Sequence, residues 1–199
     1  MSNVRSTTVA HTSPGGDFVF DMRKLGRQPG SMLEQARTVP APAGLGAGLA
    51  VVPAGADVTL DVRFEAVTEG VLVTGTAISP LSGECARCLD PVASTVEASI
   101  MELYRYEPDA DEDENDGEVR FLVGGKLDLE PAFRDAVVLA LPLSPLCRAD
   151  CPGLCAQCGV RLADAGPSHV HDEVDSRWDA LRGLDLNNEV SDFHNRQEG

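Results

Sequence analysis

All six cysteines of the chain fall into three tight groups whose spacing is typical of metal ligands. The groups are Cys85-Ala86-Arg87-Cys88, Cys147-Arg148-Ala149-Asp150-Cys151 and Cys155-Ala156-Gln157-Cys158, the last followed by Gly159. A Cys-x-x-Cys turn directs two thiolates at one ion, and zinc binds four sulfur or nitrogen ligands in a tetrahedron. The cysteines therefore predict structural zinc.

Two histidines, His169 and His171, lie just downstream and leave more than one ligand set open. In a two-site arrangement, one ion is held by Cys155, Cys158, His169 and His171, and a second by Cys85, Cys88, Cys147 and Cys151. In a one-site arrangement, the ion is held either by the two Cys-x-x-Cys turns together or by Cys147, Cys151, Cys155 and Cys158. The alternative to ligation for the two histidines is a solvated loop.

Other uses of clustered cysteines fit this sequence less well. Residues 1–17 lack the apolar core of a secretory signal, and no stretch approaches the ~20 apolar residues that span a bilayer. We therefore expect a cytoplasmic protein with reduced thiols and no membrane contact. Disulfide exchange favours a Cys-x-x-Cys at a helix start, whereas the first pair here follows predicted strands. Zinc with four protein ligands has no open position for substrate, so we expect no enzyme.

The charge of the chain bears on its partners. The formal net charge is −16, with 32 acidic residues against 16 basic ones, which disfavours non-specific nucleic-acid binding and favours a basic protein partner. Residues 107–118 form an acidic run, predicted to be a solvated loop that could contact such a partner. Direct RNA binding would need a local basic patch. The arginines beside the cysteines, Arg87, Arg148 and Arg161, are the candidates, and their alternative role is to neutralise a zinc–thiolate centre.

Alternation of apolar and polar residues gives the clearest strand, over 57–67, with one apolar and one charged face. A tight turn is predicted at Glu69-Gly70. Further strands are predicted at 71–76, 96–106 and 119–123. The Gly- and Ala-rich segment 45–52 is predicted to be an irregular loop or a weak strand.

Two helices complete the predicted fold. The first, over 130–141, has Pro131 in its first turn and stops at Pro142, and the second covers 175–182. The fold class is therefore α+β: a strand-rich N-terminal body with a helix, a cysteine-rich zinc knuckle and a short C-terminal helix. Residues 1–16 and 185–199 are predicted to be flexible tails.

Two cysteine segments resemble the YceD family of large ribosomal RNA subunit accumulation proteins. They are Gly-Glu-Cys-Ala-Arg-Cys-Leu-Asp-Pro-Val at 83–92 and the segment from Leu-Pro-Leu at 141–143 through Cys158-Gly159. Weaker similarity covers 18–184, including Gly-Val-Leu-Val-Thr-Gly at 70–75. The resemblance implies a single domain over 17–184, with a zinc-knuckle segment at 146–172. Family members often carry a further Cys-x-Cys where this chain has His169-Val170-His171.

The resemblance also implies a role in large-subunit ribosomal RNA accumulation and ribosome biogenesis. Three hypotheses follow. An acidic assembly factor could bind a basic ribosomal protein or the pre-ribosomal large subunit, with the acidic run 107–118 in the contact. A zinc protein could instead bind ribosomal RNA directly through the three arginines. A zinc enzyme would require a vacant coordination position.

Overall fold

The computed structural model describes residues 16–106, 119–171 and 177. The chain divides into two compact units, one ending at Gly153 and one beginning at Leu154. Apart from Gly16 and Arg177, the predicted tails, the acidic run 107–118 and the predicted helix at 175–182 lie outside the described residues. The single domain over 17–184 stays a prediction.

The first unit contains nine strands and one helix among its described residues. These are β1 (Val19–Asp21), β2 (Met32–Pro40), β3 (Gly46–Ala47), β4 (Ala50–Val51), β5 (Asp57–Ala66), β6 (Gly70–Glu84), β7 (Pro91–Arg105), β8 (Arg120–Phe121), β9 (Lys126–Asp128) and α1 (Glu130–Ala140). Strands β2, β5, β6 and β7 lie side by side and antiparallel. The short strands β3 and β4 pair at the far end of β6, and β1 pairs with β9 in a separate two-stranded sheet.

The dominant element is the long hairpin formed by β6 and β7. Its arms are fifteen residues each and stay in register from Gly70 opposite Arg105 to Glu84 opposite Pro91. The loop at the tip of this hairpin carries Cys85 and Cys88. The hairpin therefore presents the first cysteine pair at the end of the sheet.

The alternation seen in the sequence sets which face of the sheet is buried. The apolar residues of β5 are buried and its charged residues lie on the other face, which confirms the predicted strand. Phe64 of β5 packs against Phe20 of β1, with ring centroids 4.9 Å apart. In β6, the position of Gly75 has no room for a side chain, because a Cβ there would overlap the carbonyl oxygen of Asp61 in β5.

Helix α1, predicted over 130–141, packs on the buried side of the sheet. It begins at Glu130 with Pro131 in the first turn, where a missing N–H is tolerated. Phe133 and Val137 are fully buried, and Phe133 contacts Phe18 with ring centroids 4.8 Å apart. The chain turns extended at Leu141, as expected for a residue before proline, and leads to the second cysteine group.

Several local predictions differ from the structure. The loop between β5 and β6 is formed by Val67, Thr68 and Glu69, whereas Gly70 already belongs to β6, where a Cβ would overlap the Tyr104 carbonyl oxygen. Segment 45–52, predicted to be an irregular loop or a weak strand, contains the short strands β3 and β4, which pair as a hairpin. Of the predicted strand 119–123, Arg120 and Phe121 form β8, parallel to the end of β7, and Val123 forms an isolated antiparallel bridge with Lys126. Strands β2 and β9 had no sequence prediction.

The described part of the second unit is small. Leu154 and Arg161 form an antiparallel bridge, and α2 (Leu162–Ala165) follows as a single helical turn with no buried residue. Across the described residues, neither helix combines the length and apolar character needed to cross a bilayer.

Truncation of Phe133 tests the packing of α1 on the sheet. Phe133→Ala should lower the free energy of unfolding by about 3–5 kcal/mol, because it removes a fully buried ring and leaves a cavity in its place. Urea unfolding followed by circular dichroism measures this change. Leu139→Ala is the matched control in the same helix: Leu139 is 86% exposed and its loss should change stability by less than about 0.5 kcal/mol. Equal effects of the two substitutions would contradict the packing described.

Candidate metal centres

The first unit brings four thiols together from two distant parts of the chain. The Sγ atoms of Cys85 and Cys151 are 3.8 Å apart, and those of Cys88 and Cys147 are 3.6 Å apart. All four sulfurs lie within 4.8 Å of one another. Cys85, Cys88 and Cys151 are buried and Cys147 is exposed. We call this group the four-cysteine centre.

Backbone contacts fix the two segments of the four-cysteine centre against each other. The N–H of Ala86, between the first two cysteines, donates to the carbonyl of Pro145 at 2.8 Å. The Arg87 guanidinium donates to the carbonyl of Cys151 at 2.8 Å. Gly153 adopts φ +80°, and a Cβ there would press on Arg87. The hairpin tip and the segment after α1 are thus held together through hydrogen bonds to main-chain carbonyls.

The second unit forms a mixed group of two cysteines and two histidines. Cys155 Sγ lies 3.3 Å from His171 Nε2, and Cys158 Sγ lies 3.5 Å from His169 Nε2. The two histidine Nε2 atoms are 3.0 Å apart. Cys158 and His171 are exposed, whereas Cys155 and His169 are half-buried. We call this group the cysteine–histidine centre.

The two Cys-x-x-Cys turns have the same main-chain geometry. In the first turn, the Cys85 N–H donates to the Asp90 carbonyl, and the Leu89 N–H donates to the Cys85 carbonyl. In the second turn, the Cys155 N–H donates to the Val160 carbonyl, and the Gly159 N–H donates to the Cys155 carbonyl. The residue after the second cysteine has positive φ in both turns, +61° at Leu89 and +71° at Gly159. Glycine suits this conformation, and leucine adopts it at a cost of about 1–2 kcal/mol.

The pKa values of the thiols in these turns are shifted in different directions. Backbone N–H groups, chiefly that of Cys147, lower the pKa of Cys85 to about 6. The backbone N–H of Cys158, followed by the side chain of His169, lowers the pKa of Cys155 to about 6. Burial and the neighbouring sulfurs raise the pKa of Cys88 to about 12 and also raise that of Cys147. A cation bound among the four sulfurs would offset the repulsion between neighbouring thiolates. All four thiols could then ionise.

The donor atoms fit a tetrahedral ion in both centres. A zinc ion with thiolates at about 2.3 Å separates neighbouring sulfurs by about 3.8 Å, close to the Cys85–Cys151 and Cys88–Cys147 distances. With imidazole nitrogens at about 2.0–2.1 Å, the expected sulfur–nitrogen separation is about 3.6 Å. The corresponding distances in the cysteine–histidine centre are 3.3 and 3.5 Å. Each group could therefore hold one metal ion.

The three arginines considered for RNA binding occupy different surroundings. Arg87 is engaged with the Cys151 carbonyl and stabilises the centre. Arg148 lies 3.4 Å from Asp150 and Arg161 lies 3.9 Å from Asp164, in ion pairs whose members are largely exposed. Exposed pairs of this kind are weak, so Arg148 and Arg161 can exchange partners at little cost.

The structure brings all eight predicted ligands together in the two groups of the two-site arrangement. Ligation itself stays a prediction. Three features that support the ligands had no sequence prediction: the Pro145 carbonyl, the hydrogen bond from Arg87 to the Cys151 carbonyl and the positive φ of Leu89. Only Leu89 left a signal, since it occupies the position of Gly159 in the repeated Cys-x-x-Cys pattern.

Comparisons with known proteins give one matching family model and several similar proteins. A family model described as "Large ribosomal RNA subunit accumulation protein YceD" matches residues 73–185. Similar proteins, each described as uncharacterized, occur in Mycobacterium tuberculosis and Mycobacterium bovis, 50% identical over 165 residues that cover 82% of this chain and 79% of the relative. A Mycobacterium leprae protein is 43% identical over 168 residues, 83% of this chain and 76% of the relative. No solved structure matches the chain.

Elemental analysis tests the two centres separately. We expect two metal ions per chain in gently purified protein, because each group offers a complete set of four donors. Cys85→Ser/Cys88→Ser should remove one ion and Cys155→Ser/Cys158→Ser the other. Ala156→Ser, which keeps both ligands of its turn, should retain two. A ratio of one in the unmodified protein would contradict two independent centres.

Proposed function

Because the chain belongs to the YceD family of large ribosomal RNA subunit accumulation proteins, we propose that it is a non-enzymatic zinc-binding factor for large-subunit assembly. Its two centres hold structural zinc, and its acidic surface binds a basic ribosomal protein before or during assembly. The observation that carries the proposal is the pair of four-donor groups, each within 4.8 Å, in a chain of this family. The single domain proposed over 17–184 contains both centres.

The donor chemistry supports zinc. Thiolates are soft ligands, and sets of four cysteines or of two cysteines and two histidines in a tetrahedron are typical of structural zinc. The proposed ligands are Cys85, Cys88, Cys147 and Cys151 for the first ion and Cys155, Cys158, His169 and His171 for the second. Zinc would link the tip of the β6–β7 hairpin to the segment after α1.

The same coordination argues against metal catalysis. Catalytic zinc keeps a position open for water or substrate, whereas each centre here offers four protein donors. Three of the four thiols in the four-cysteine centre are also buried, which limits access to an ion there. A supporting role in assembly therefore suits these centres better than an enzymatic one.

The charge of the chain supports a basic protein partner. A net charge of −16 repels RNA phosphates and attracts the lysine- and arginine-rich proteins that bind ribosomal RNA. A second candidate function, direct RNA binding, retains Arg148 and Arg161 as exposed cations near the two centres. Arg87 is the weakest member of that set because its guanidinium already binds the Cys151 carbonyl.

Depletion of the protein tests the assembly role. The ratio of large- to small-subunit ribosomal RNA should fall, and expression of the unmodified chain should restore it. Cys155→Ser/Cys158→Ser should restore it poorly because two ligands are lost, whereas Ala156→Ser should restore it fully. Quantitative electrophoresis of total RNA gives the ratio. An unchanged ratio after verified depletion would overturn the proposed function.

The partner is tested with purified large-subunit proteins. We expect at least one basic protein to bind, with an affinity that falls as salt rises from 50 to 500 mM, because exposed charges are screened. Isothermal titration calorimetry measures the affinity at each salt concentration. If no large-subunit protein binds but ribosomal RNA does, and Arg148→Gln/Arg161→Gln weakens that binding, the RNA-binding function replaces the protein partner.

A further inference from the structure

A cavity of about 260 Å³ lies in the first unit, where the segment after β1 meets the start of β6 and the residues that follow β7 and β8. Its floor is apolar. Met22, Val71 and Leu122 line it, and they are 4%, 1% and 5% exposed, so the cavity reaches the core. No proposed zinc ligand is among the described residues that surround it.

Main-chain hydrogen bonds hold the walls of this cavity in place. The Met22 N–H donates to the Gly125 carbonyl at 2.9 Å, and the Tyr106 N–H donates to the Glu69 carbonyl at 3.1 Å. Gly125 adopts φ +73°, and a Cβ there would lie 3.0 Å from Cγ of Arg23. Glycine suits both the conformation and the close approach to Arg23. The backbone therefore sets the shape of the cavity together with the side chains.

The charged side chains among the described residues of the cavity wall are both arginines, Arg23 and Arg27. Arg23 is committed to Asp21, with its Nε 2.9 Å from Oδ1 of that carboxylate. Arg27 stands over the Tyr106 ring, its Cζ 4.5 Å from the ring centroid, and has no hydrogen bond or ion pair to another described residue. A cation–π contact leaves the guanidinium N–H groups free to donate. The cavity therefore offers one uncommitted cation.

The hydroxyl of Tyr106 is a second polar group of the cavity wall without a partner. Its oxygen is buried and makes no hydrogen bond to a described residue. The hydroxyl of Tyr104, two residues earlier, donates to the Asp128 carbonyl at 2.8 Å. Leaving a buried hydroxyl without a hydrogen bond costs about 1–3 kcal/mol, so most such groups in folded proteins have a partner. The unmet hydrogen bond of Tyr106 indicates that an occupant of the cavity supplies one.

The apolar floor, the guanidinium and the hydroxyl together select the chemistry of the occupant. An apolar floor favours a compact apolar body, and a few polar groups at one wall fix its orientation. A guanidinium pairs with a carboxylate through parallel hydrogen bonds, and a carboxylate oxygen can also accept from a hydroxyl. One uncommitted cation balances one negative charge. A carboxylate therefore fits better than a phosphate ester, which carries about −1.5 to −2 at pH 7.

We propose that this cavity binds a small molecule that carries one carboxylate on a compact apolar body. Arg27 and the Tyr106 hydroxyl bind the carboxylate, and Met22, Val71 and Leu122 contact the apolar body. Neither zinc nor a protein partner takes part, so the site is independent of the proposed function.

A matched pair of probes tests this site. The first probe, 2-naphthoate, carries one carboxylate on a rigid apolar body, and the second, 2-naphthamide, has a similar shape without the charge. Isothermal titration calorimetry with the full chain should show one naphthoate bound per chain. Naphthamide should bind about tenfold more weakly, because a hydrogen bond to a charged group is stronger than one to a neutral group.

Three variants assign the binding to this cavity. Arg27→Gln removes the charge of an exposed side chain and should weaken naphthoate binding about tenfold, with little change for naphthamide. Tyr106→Phe should weaken naphthoate binding about fivefold. It should not lower the unfolding temperature of the ligand-free chain, because the hydroxyl it removes has no partner. Arg63→Gln, an exposed arginine of β5 outside the cavity, is the control and should leave both affinities unchanged.

Several results would overturn the carboxylate site. They are no binding of naphthoate, equal affinity for naphthoate and naphthamide, or full naphthoate affinity in both Arg27→Gln and Tyr106→Phe. Tighter binding of 2-naphthyl phosphate than of 2-naphthoate, lost in Arg27→Gln, would replace the carboxylate with a phosphate ester. The ribosomal RNA ratio after depletion remains a separate test of assembly under each of these results.

Discussion

The fold depends on one closure, in which the tip of the β6–β7 hairpin meets the segment that follows α1. Cys88 and Cys147 are 59 residues apart in the sequence, and their sulfurs lie 3.6 Å apart. Bringing such distant segments together costs chain entropy, which grows slowly with the length of the loop. The Ala86–Pro145 and Arg87–Cys151 hydrogen bonds offset part of this cost, and a metal ion bound by all four sulfurs would offset more.

The same Cys-x-x-Cys turn occurs in two units whose described residues differ in how much apolar surface they bury. The four-cysteine centre adjoins an extensive core, so its turn tolerates Leu89 at positive φ. The second unit has a one-turn helix without a buried residue, and its centre is largely exposed. Units this small usually require a metal or another crosslink to fold. We therefore expect the second unit to depend on its ion more strongly than the first.

Local patterns in the sequence were sufficient for some elements and not for others. The period-two alternation of β5 and the apolar face of α1 gave both elements nearly to their ends, because burial on one face fixes these patterns. Strand β2 had no sequence prediction, although exposed and half-buried residues alternate along it. Its inward-facing positions include polar residues such as Gln35 as well as Leu33, so no continuous apolar face is visible in the sequence. The grouping of the thiols was open for a different reason: it depends on where α1 returns the chain, which no local pattern encodes.

Acidity and metal binding have complementary roles in the proposed assembly factor. Zinc in the four-cysteine centre would hold the tip of the β6–β7 hairpin and the segment after α1 in place. The acidic surface of a chain with net charge −16 would attract a basic segment only through exposed charges, whose attraction solvent and salt weaken. Ribosomal RNA offers a denser array of negative charge to the same basic segment. A basic partner held in this way would therefore pass to RNA by exchanging one set of negative charges for a denser one.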